Sequence, residues 1–333
     1  MAVSLKPIGE QVIVITGASS GIGLATAEAA ARAGAKVVLT ARNKTALAEA
    51  AERISEAGGE AAYVTADVAN RSELQRVADR AIERFGGFDT WVNNAGVSIW
   101  GRLEEVSDED HRRLFETNFW GAVNGSLIAV RHLKQRGGAL VNIGSVASDI
   151  ALPNQGMYSA SKHALKGFTD ALRVELEEEN APVTVTLIKP GSIDTPFPQH
   201  AKNYGEKEPQ LPAPVYPPED VANAVLYAAQ HGPRDLYVGG GGRFASAIRT
   251  VAPSATDWVS ANVLSGQSYR DEPAHDRSGS LFQSESRGEV RGSHPGHVAS
   301  MSLYTRAAMH PYLTTALLMG AVLLLTARSR SAH

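Results

Sequence analysis

Cysteine is absent from the 333 residues. That excludes disulfides, thiolate nucleophiles and zinc-thiolate sites, and it fits a reducing compartment. A long basic run is also missing, and the formal net charge is only −3. No nucleic-acid or polyanion partner is therefore expected. The opening MAVSLKPIGEQVIVITG lacks a basic stretch followed by an apolar core and a cleavage site. It reads straight into a strand, so no signal peptide is expected and the catalytic part is read as cytoplasmic. His163 and His200 stand in no metal-ligand spacing, and no metal site is expected. No internal repeat is found.

What is present suits a globular chain: 43% hydrophobic and 20% charged residues. The length allows one large domain with an appendage, or two domains. From residue 11 to about 240, short β-branched runs alternate with Ala-rich helical stretches. The strands expected are Val12–Thr16, Lys36–Thr40, Ala61–Thr65, Thr90–Asn93, Ala139–Ile143, Val183–Ile188 and Leu236–Val238. Helical patterns lie between them: Gly23–Ala33, Lys44–Ala57, Arg71–Phe85, Asp108–Val130, Tyr158–Glu178 and Pro218–Gln230. Such alternation predicts an α/β fold, a doubly wound parallel sheet covered on both faces. Ligands are then expected at the carboxyl ends of the strands.

VIVITGASSGIGLATAEAAARAG runs strand, glycine turn and helix in direct succession. Gly17, Gly21 and Gly23 leave room for backbone N–H groups to face a pyrophosphate at a helix N-terminus, which favours negative charge. A Cβ there would hold the phosphate away. The spacing differs from the G-x-G-x-x-G fingerprint. A NAD site usually offers an acid about 20 residues further on. Here no Asp or Glu occurs between Glu28 and Glu49, and Arg42 stands at the strand end. A guanidinium there suits a 2′-phosphate, so NADP is expected over NAD.

YSASK, residues 158–162, sets Tyr158 and Lys162 one helical turn apart on one face,. A surface tyrosine laid on a lysine stem would have this pattern. A phenol whose proton is loosened by a neighbouring cation would have it too, and only context separates them.

The context is a resemblance. TGASSGIG at 16–23, NNAG at 93–96, YSASK at 158–162 and PGSIDT at 190–195 resemble, in that order, the motifs of the short-chain dehydrogenase/reductase family. The likeness is to its branch with a domain of roughly 250 residues, an ordinary size for one domain. It covers about residues 8–245. It implies a Rossmann-type, NADP-binding oxidoreductase acting on a carbonyl/alcohol pair. It implies a catalytic set of Asn118, Ser145, Tyr158 and Lys162. Tyr158 is then the general acid/base, assisted by Lys162, which also reaches the nicotinamide ribose. Ser145 hydrogen-bonds the substrate oxygen, and Asn118 helps hold a water in the proton relay. For the cofactor it implies the turn residues Gly17, Ser19, Ser20, Gly21, Ile22 and Gly23. Arg42 joins them, with Asp67 and Val68 at the adenine. Asn94, Ala95 and Gly96 form a supporting turn, and Pro190, Gly191, Ile193 and Thr195 lie near the carboxamide. The physics is consistent: an alkoxide formed by hydride transfer needs a proton, and a free tyrosine with pKa near 10 gives one up reluctantly. A nearby ammonium favours phenolate.

PFPQHAKNYGEKEPQLPAPVYPPE, residues 196–219, is Pro-rich and expected to loop over the site as a lid,. Trp100 and Phe197 are candidates to line an apolar pocket. After Arg243 the character of the sequence changes. Residues 246–306 read as a helical and flexible extension, with 265–300 expected to be a flexible linker,. Residues 307–330 read as an apolar C-terminal segment. Its core, Ala307–Ala327, carries no charge and as a helix would be about 31 Å long,. That is close to the roughly 30 Å hydrocarbon core, so a membrane anchor or a packed helix is expected. An anchor would favour an apolar carbonyl substrate. The family implies a dimer or tetramer through helices near 108–130 and 158–178. The alternative function is a non-catalytic NADP(H)-binding sensor or scaffold, which would need no proton donor.

Overall fold

The computed structural model describes residues 3–284 and 288–310, with 314, 315 and 319. Seven parallel strands form its centre: β1 (Val12–Thr16), β2 (Lys36–Ala41), β3 (Glu60–Thr65), β4 (Thr90–Asn93), β5 (Gly138–Ile143), β6 (Val183–Pro190) and β7 (Asp235–Val238). Their spatial order is β7-β6-β5-β4-β1-β2-β3. The chain winds outward from β1 to β3, then returns to β4 on the other side of β1. That reversal opens a crevice at the carboxyl ends of β1 and β4, where a doubly wound sheet holds ligands.

The inner strands read as continuous apolar runs because both faces are covered, whereas the edge strand β3 is largely exposed,. Successive side chains point to opposite faces. Ile13 and Ile15 join one core with Leu24, Leu47, Val221 and Val225. Val12 and Val14 join the other with Leu74, Val77, Leu133 and Leu172. The first core lies under α1 (Gly21–Arg32), α2 (Lys44–Glu56) and α7 (Pro218–His231). The second lies under α3 (Arg71–Phe85), α5 (Gly121–Arg136) and α6 (Gly156–Glu178), with α4 (Asp108–Phe115) at one end. Asn43, Asn70 and Ser107 cap α2, α3 and α4 by accepting backbone N–H groups, as short polar side chains do at N-caps,.

The long helix expected over Asp108–Val130 is divided. A π turn, Glu116–Trp120, separates α4 from α5. α5 then packs so closely that a Cβ on Gly121 would meet Val68 Cγ2 at 2.6 Å, and one on Gly125 would meet Asn93 Oδ1 at 2.1 Å. Glycine is required at these approaches. Asn93 bridges Ser126 and Asn142, each at 2.9 Å, so the close approach is tied by buried polar bonds.

The extension also differs from expectation. Helices Gly240–Val251 and Pro253–Val259 lead to a strand, Tyr269–Pro273, which pairs antiparallel with Lys207–Pro209 of the lid. The stretch expected to be a flexible linker therefore docks on the domain, held by backbone hydrogen bonds rather than by a hydrophobic stripe. A short helix, Leu303–Met309, follows. Among the described residues no helix is long and apolar enough to cross a membrane. Most of the segment expected as an anchor, 307–327, lies outside the described residues.

Candidate active site

At the carboxyl ends of the strands lies a cavity of about 260 Å³. Gly17, Ser19, Ser20, Gly21 and Ile22 of the turn after β1 form one wall. Gly17 and Gly21 have φ of +66° and +53°, values open to glycine at little cost,. Ala41 at the end of β2 with Arg42 after it, and Asp67 and Val68 after β3, close one end. Asn94, Ala95 and Gly96 follow β4, while Pro190 ends β6 and Gly191, Ile193 and Thr195 follow it. Ser145, Tyr158 and Lys162 stand at the far end. All but two of the residues expected at the site thus line one cavity.

The two exceptions are Gly23 and Asn118. A Cβ on Gly23 would meet Gly17 O at 2.2 Å, so this glycine lets α1 pack on the turn rather than facing the cavity. Asn118 is buried in the π turn. Its Oδ1 accepts from Val97 N at 2.8 Å, and its Nδ2 donates to Val97 O at 2.9 Å and Ser161 Oγ at 3.3 Å. Its side chain clamps the segment after β4, so the side chain has no reach into a relay. Next to it, the Thr117 hydroxyl is buried in the cavity wall with no partner among the described residues.

Each reacting side chain has a structural reason for its place. Ser145 caps a short turn, Val146–Ser148, and its Oγ accepts from Ala147 N at 3.0 Å. Its own N–H is held by Ser148 Oγ at 3.2 Å. Tyr158 and Lys162 lie on the buried face of α6. Lys162 Nζ donates to Ile143 O at the end of β5 at 2.8 Å. Burial pushes the Tyr158 phenol up to about 12, against a smaller downward pull from a Ser145 hydrogen bond. Burial pushes Lys162 down to about 8. At Tyr158 desolvation thus outweighs the hydrogen bond from Ser145,.

Asp67 carries a partner that the sequence did not suggest. Its Oδ2 accepts from Arg113 Nη2 of α4 at 2.5 Å, and its Oδ1 from Ala69 N at 3.0 Å. Arg113 sits in a charged helical run, where nothing distinguishes it from a solvated arginine. Of the two aromatic candidates, Phe197 lines the cavity and its ring centre lies 5.6 Å from that of Tyr158. Trp100 is 1% exposed and packs edge-on to Phe197 from behind, as a core residue. His200 lines the cavity, with burial holding its pKa down. His163 meets only the Ser159 carbonyl. Among the described residues no cluster of acids and histidines could hold a metal.

The site fits an extended dinucleotide. The cavity runs from a guanidinium and a carboxylate at one end to a phenol and an amine at the other, past a glycine cradle at a helix N-terminus,. Arg42, Asp67, Ser19–Ile22, Lys162 and Thr195 are the residues able to hold it.

The model of the short chain dehydrogenase family matches residues 11–205. An uncharacterised oxidoreductase of Bacillus subtilis, YxnA, is 44% identical over 322 residues, 96% of this chain and 90% of that protein. An 11-beta-hydroxysteroid dehydrogenase A of Sesamum indicum is 34% identical over 265 residues, 76% of this chain and 75% of that one. A short chain dehydrogenase/reductase of Burkholderia phymatum, solved in complex with NAD, superposes with a TM-score of 0.69 at 28% identity. It covers 75% of this chain and 96% of that one. An alcohol dehydrogenase of Thermococcus sibiricus, complexed with 5-hydroxy-NADP, gives 0.61 at 29% identity over 68% and 95%. On the span of the family match and the identity of relatives along nearly the whole chain, this protein belongs to the short chain dehydrogenase family of oxidoreductases.

Proposed function

We propose that the protein is an NADP-dependent oxidoreductase that interconverts an apolar ketone or aldehyde and its alcohol. The observation that carries this reading is the convergence of Ser145, Tyr158 and Lys162 at the far end of a cavity whose other end holds Arg42 and Asp67. A sensor that only bound the nucleotide would have no use for a buried proton donor there.

Bound NADPH would supply the hydride and, once oxidised, a positive charge beside the phenol. The protein's residues supply the rest. Ser145 donates to the substrate oxygen and fixes its position. Tyr158 holds its proton at neutral pH, as a phenol pushed up to about 12 must, and delivers it to the alkoxide that hydride transfer creates,. Lys162 uses one N–H on Ile143 O and keeps two for ribose hydroxyls,. Asn118 clamps the Val97 segment, which leaves its main chain, not its amide, to serve a relay. Arg42 takes the 2′-phosphate.

Substrate class follows from the wall around Tyr158. Val97, Ala147, Leu152, Phe197 and Met157 form an apolar cluster around it. The lid adds Leu211 and Pro212 to the cavity, and the extension adds Leu264. An apolar carbonyl compound fits such walls. Assembly through α5 and α6 is part of the same reading. Trp120 just before α5, Leu127 on it and Val174 on α6 are 47%, 36% and 68% exposed and are available to such an interface. Oxidation of NADPH at 340 nm with a panel of apolar ketones and aldehydes tests the reading. Turnover is expected; tight binding without turnover across the panel would favour the sensor.

A further inference from the structure

The extension returns across the cofactor cleft as a strap. Two stretches carry the docking, 277–284 and 288–293. Arg42 donates from Nη1 to the carbonyls of Leu281 and Phe282, each at 3.0 Å, and from Nη2 to the carbonyl of Ser280. At least three of the guanidinium's five N–H donors are thereby engaged. Arg113 adds a bond from Nε to Leu281 O at 3.2 Å. The Gly21 N–H, at the mouth of the phosphate turn, donates to Glu289 O at 2.9 Å.

The strap is fitted, not draped. Leu281 is 1% exposed and packs in the apolar cluster that contains Tyr158. Gly279, at φ +57°, lies so close to the lid that a Cβ would meet Ala201 C and Lys202 N at 2.5 Å. Gly292 lies equally close to Thr195, whose O a Cβ would meet at 2.4 Å. Ser280 N donates to His200 O at 2.8 Å, and Arg291 pairs with Glu219 at 2.9 Å. The groups on which it docks belong to the phosphate turn, to Arg42 and to the lid.

We propose that this strap is an intramolecular competitor of the cofactor. Backbone carbonyls of Ser280, Leu281 and Phe282 hold the guanidinium that a 2′-phosphate needs, and Glu289 holds a pyrophosphate donor, so NADP(H) loads as the strap leaves. The proposal rests on the NADP reading above. Neutral carbonyls are weaker acceptors on a guanidinium than a phosphate dianion, which adds an opposite charge and bidentate geometry. A 2′-phosphorylated dinucleotide can therefore displace them. NADH cannot do so at Arg42. Once the strap has left, Gly21 is free for either dinucleotide, and only NADP(H) also engages Arg42, so NADPH displaces the strap more readily than NADH. The strap thus sets one threshold that NADPH clears at lower concentration.

The test uses the full chain. In the wild-type protein, saturating NADPH should speed tryptic cleavage after Arg277 and Arg291, and NADH should do so less. Gly279→Ala should undock the strap, because its Cβ meets the lid backbone at Ala201 and Lys202, and it changes no side chain that holds the cofactor. NADPH, titrated by fluorescence, should then bind about tenfold more tightly, as expected where the open form is about a tenth of the molecules. NADH should gain by a similar factor, because one open form serves both dinucleotides. Slower or unchanged cleavage with NADPH would overturn the proposal. So would unchanged or weaker NADPH binding by a folded Gly279→Ala protein; if that variant does not fold, the wild-type cleavage decides. A wild-type chain that prefers NADH overturns the NADP reading instead. A preference for NADPH with a strap that NADPH protects overturns the strap alone.

Discussion

Lys162 Nζ lies 5.7 Å from the centre of the Tyr158 ring and is anchored on the Ile143 carbonyl. The two are buried together, so their titrations move apart: the phenol up to about 12 and the amine down to about 8. Below about pH 8 the amine is charged and the phenol protonated, the state that carbonyl reduction uses. As pH rises through about 8, Lys162 loses its charge. The kcat/KM for reduction should therefore be flat through neutrality and fall above about pH 8. Stability should respond with the opposite sign. Between about 8 and the amine's ordinary 10.5 the unfolded chain holds a proton that the folded one has lost, so Lys162's contribution to unfolding free energy rises with pH there,. A reduction profile still rising at pH 9 would contradict this assignment.

Gly23 and the Gly17 carbonyl are in contact with no space for a methyl group. Gly23→Ala must move the turn away from α1. Cofactor binding should be lost and the melting temperature should drop by several degrees, as expected for a cost of one or more kcal/mol. Calorimetry with and without NADPH checks both. A variant that melts normally and binds NADPH would show that the turn has slack.

Arg42 is the cation at the end of the cleft beyond β2. Arg42→Ala should cut NADPH affinity by roughly tenfold to a hundredfold, the size of a hydrogen bond to a charged group. NADH affinity should hold or rise, because losing Arg42 also loosens the strap. Parallel titrations of the two cofactors give the ratio; an unchanged ratio would remove Arg42 from the 2′-phosphate.

Asp149 ties the segment after Ser145 to several elements. It pairs with Lys166 at 2.5 Å and Lys189 at 3.2 Å, and accepts from Tyr237 Oη at 2.8 Å and Ser246 Oγ at 3.0 Å. Burial alone would raise its pKa; hydrogen bonds from Lys166 and Tyr237 and the charge of Lys189 hold it down to about 2. Its stabilising effect is complete above its ordinary 3.8 and is lost as pH falls through about 2,. A shift of that size corresponds to about 2 kcal/mol. Asp149→Asn should lose a similar amount at pH 7 and lose progressively less below pH 4. Urea unfolding at both pH values checks it.

Much of this molecule could be read directly from its residues. All seven sheet strands fall within two residues of the expected bounds, because strands buried on both faces leave unbroken β-branched runs between glycine turns,. The site was legible where chemistry fixes residue type, as at Tyr158, Lys162, Ser145 and the glycine turn. Arg113 was not, because one arginine in a charged helix has no signature until Asp67 is placed beside it. Asn118 was marked by its motif, while the bonds of its amide to Val97 became visible only in the structure. The strap was missed because composition reports side chains. Its docking rests on main-chain carbonyls, two glycines and one leucine, and a stretch rich in Ser, Gly and Arg otherwise reads as solvated.

Tyr158 is the acid on which the account depends, and Tyr158→Phe is its sharpest probe. The change removes one hydroxyl and leaves the ring that packs against Phe197. NADPH oxidation at 340 nm, with a carbonyl substrate that the wild-type chain turns over, should fall by at least about a hundredfold. NADPH affinity, read by fluorescence on the same protein, should stay within about twofold of wild type. Wild-type turnover by that variant would contradict the account.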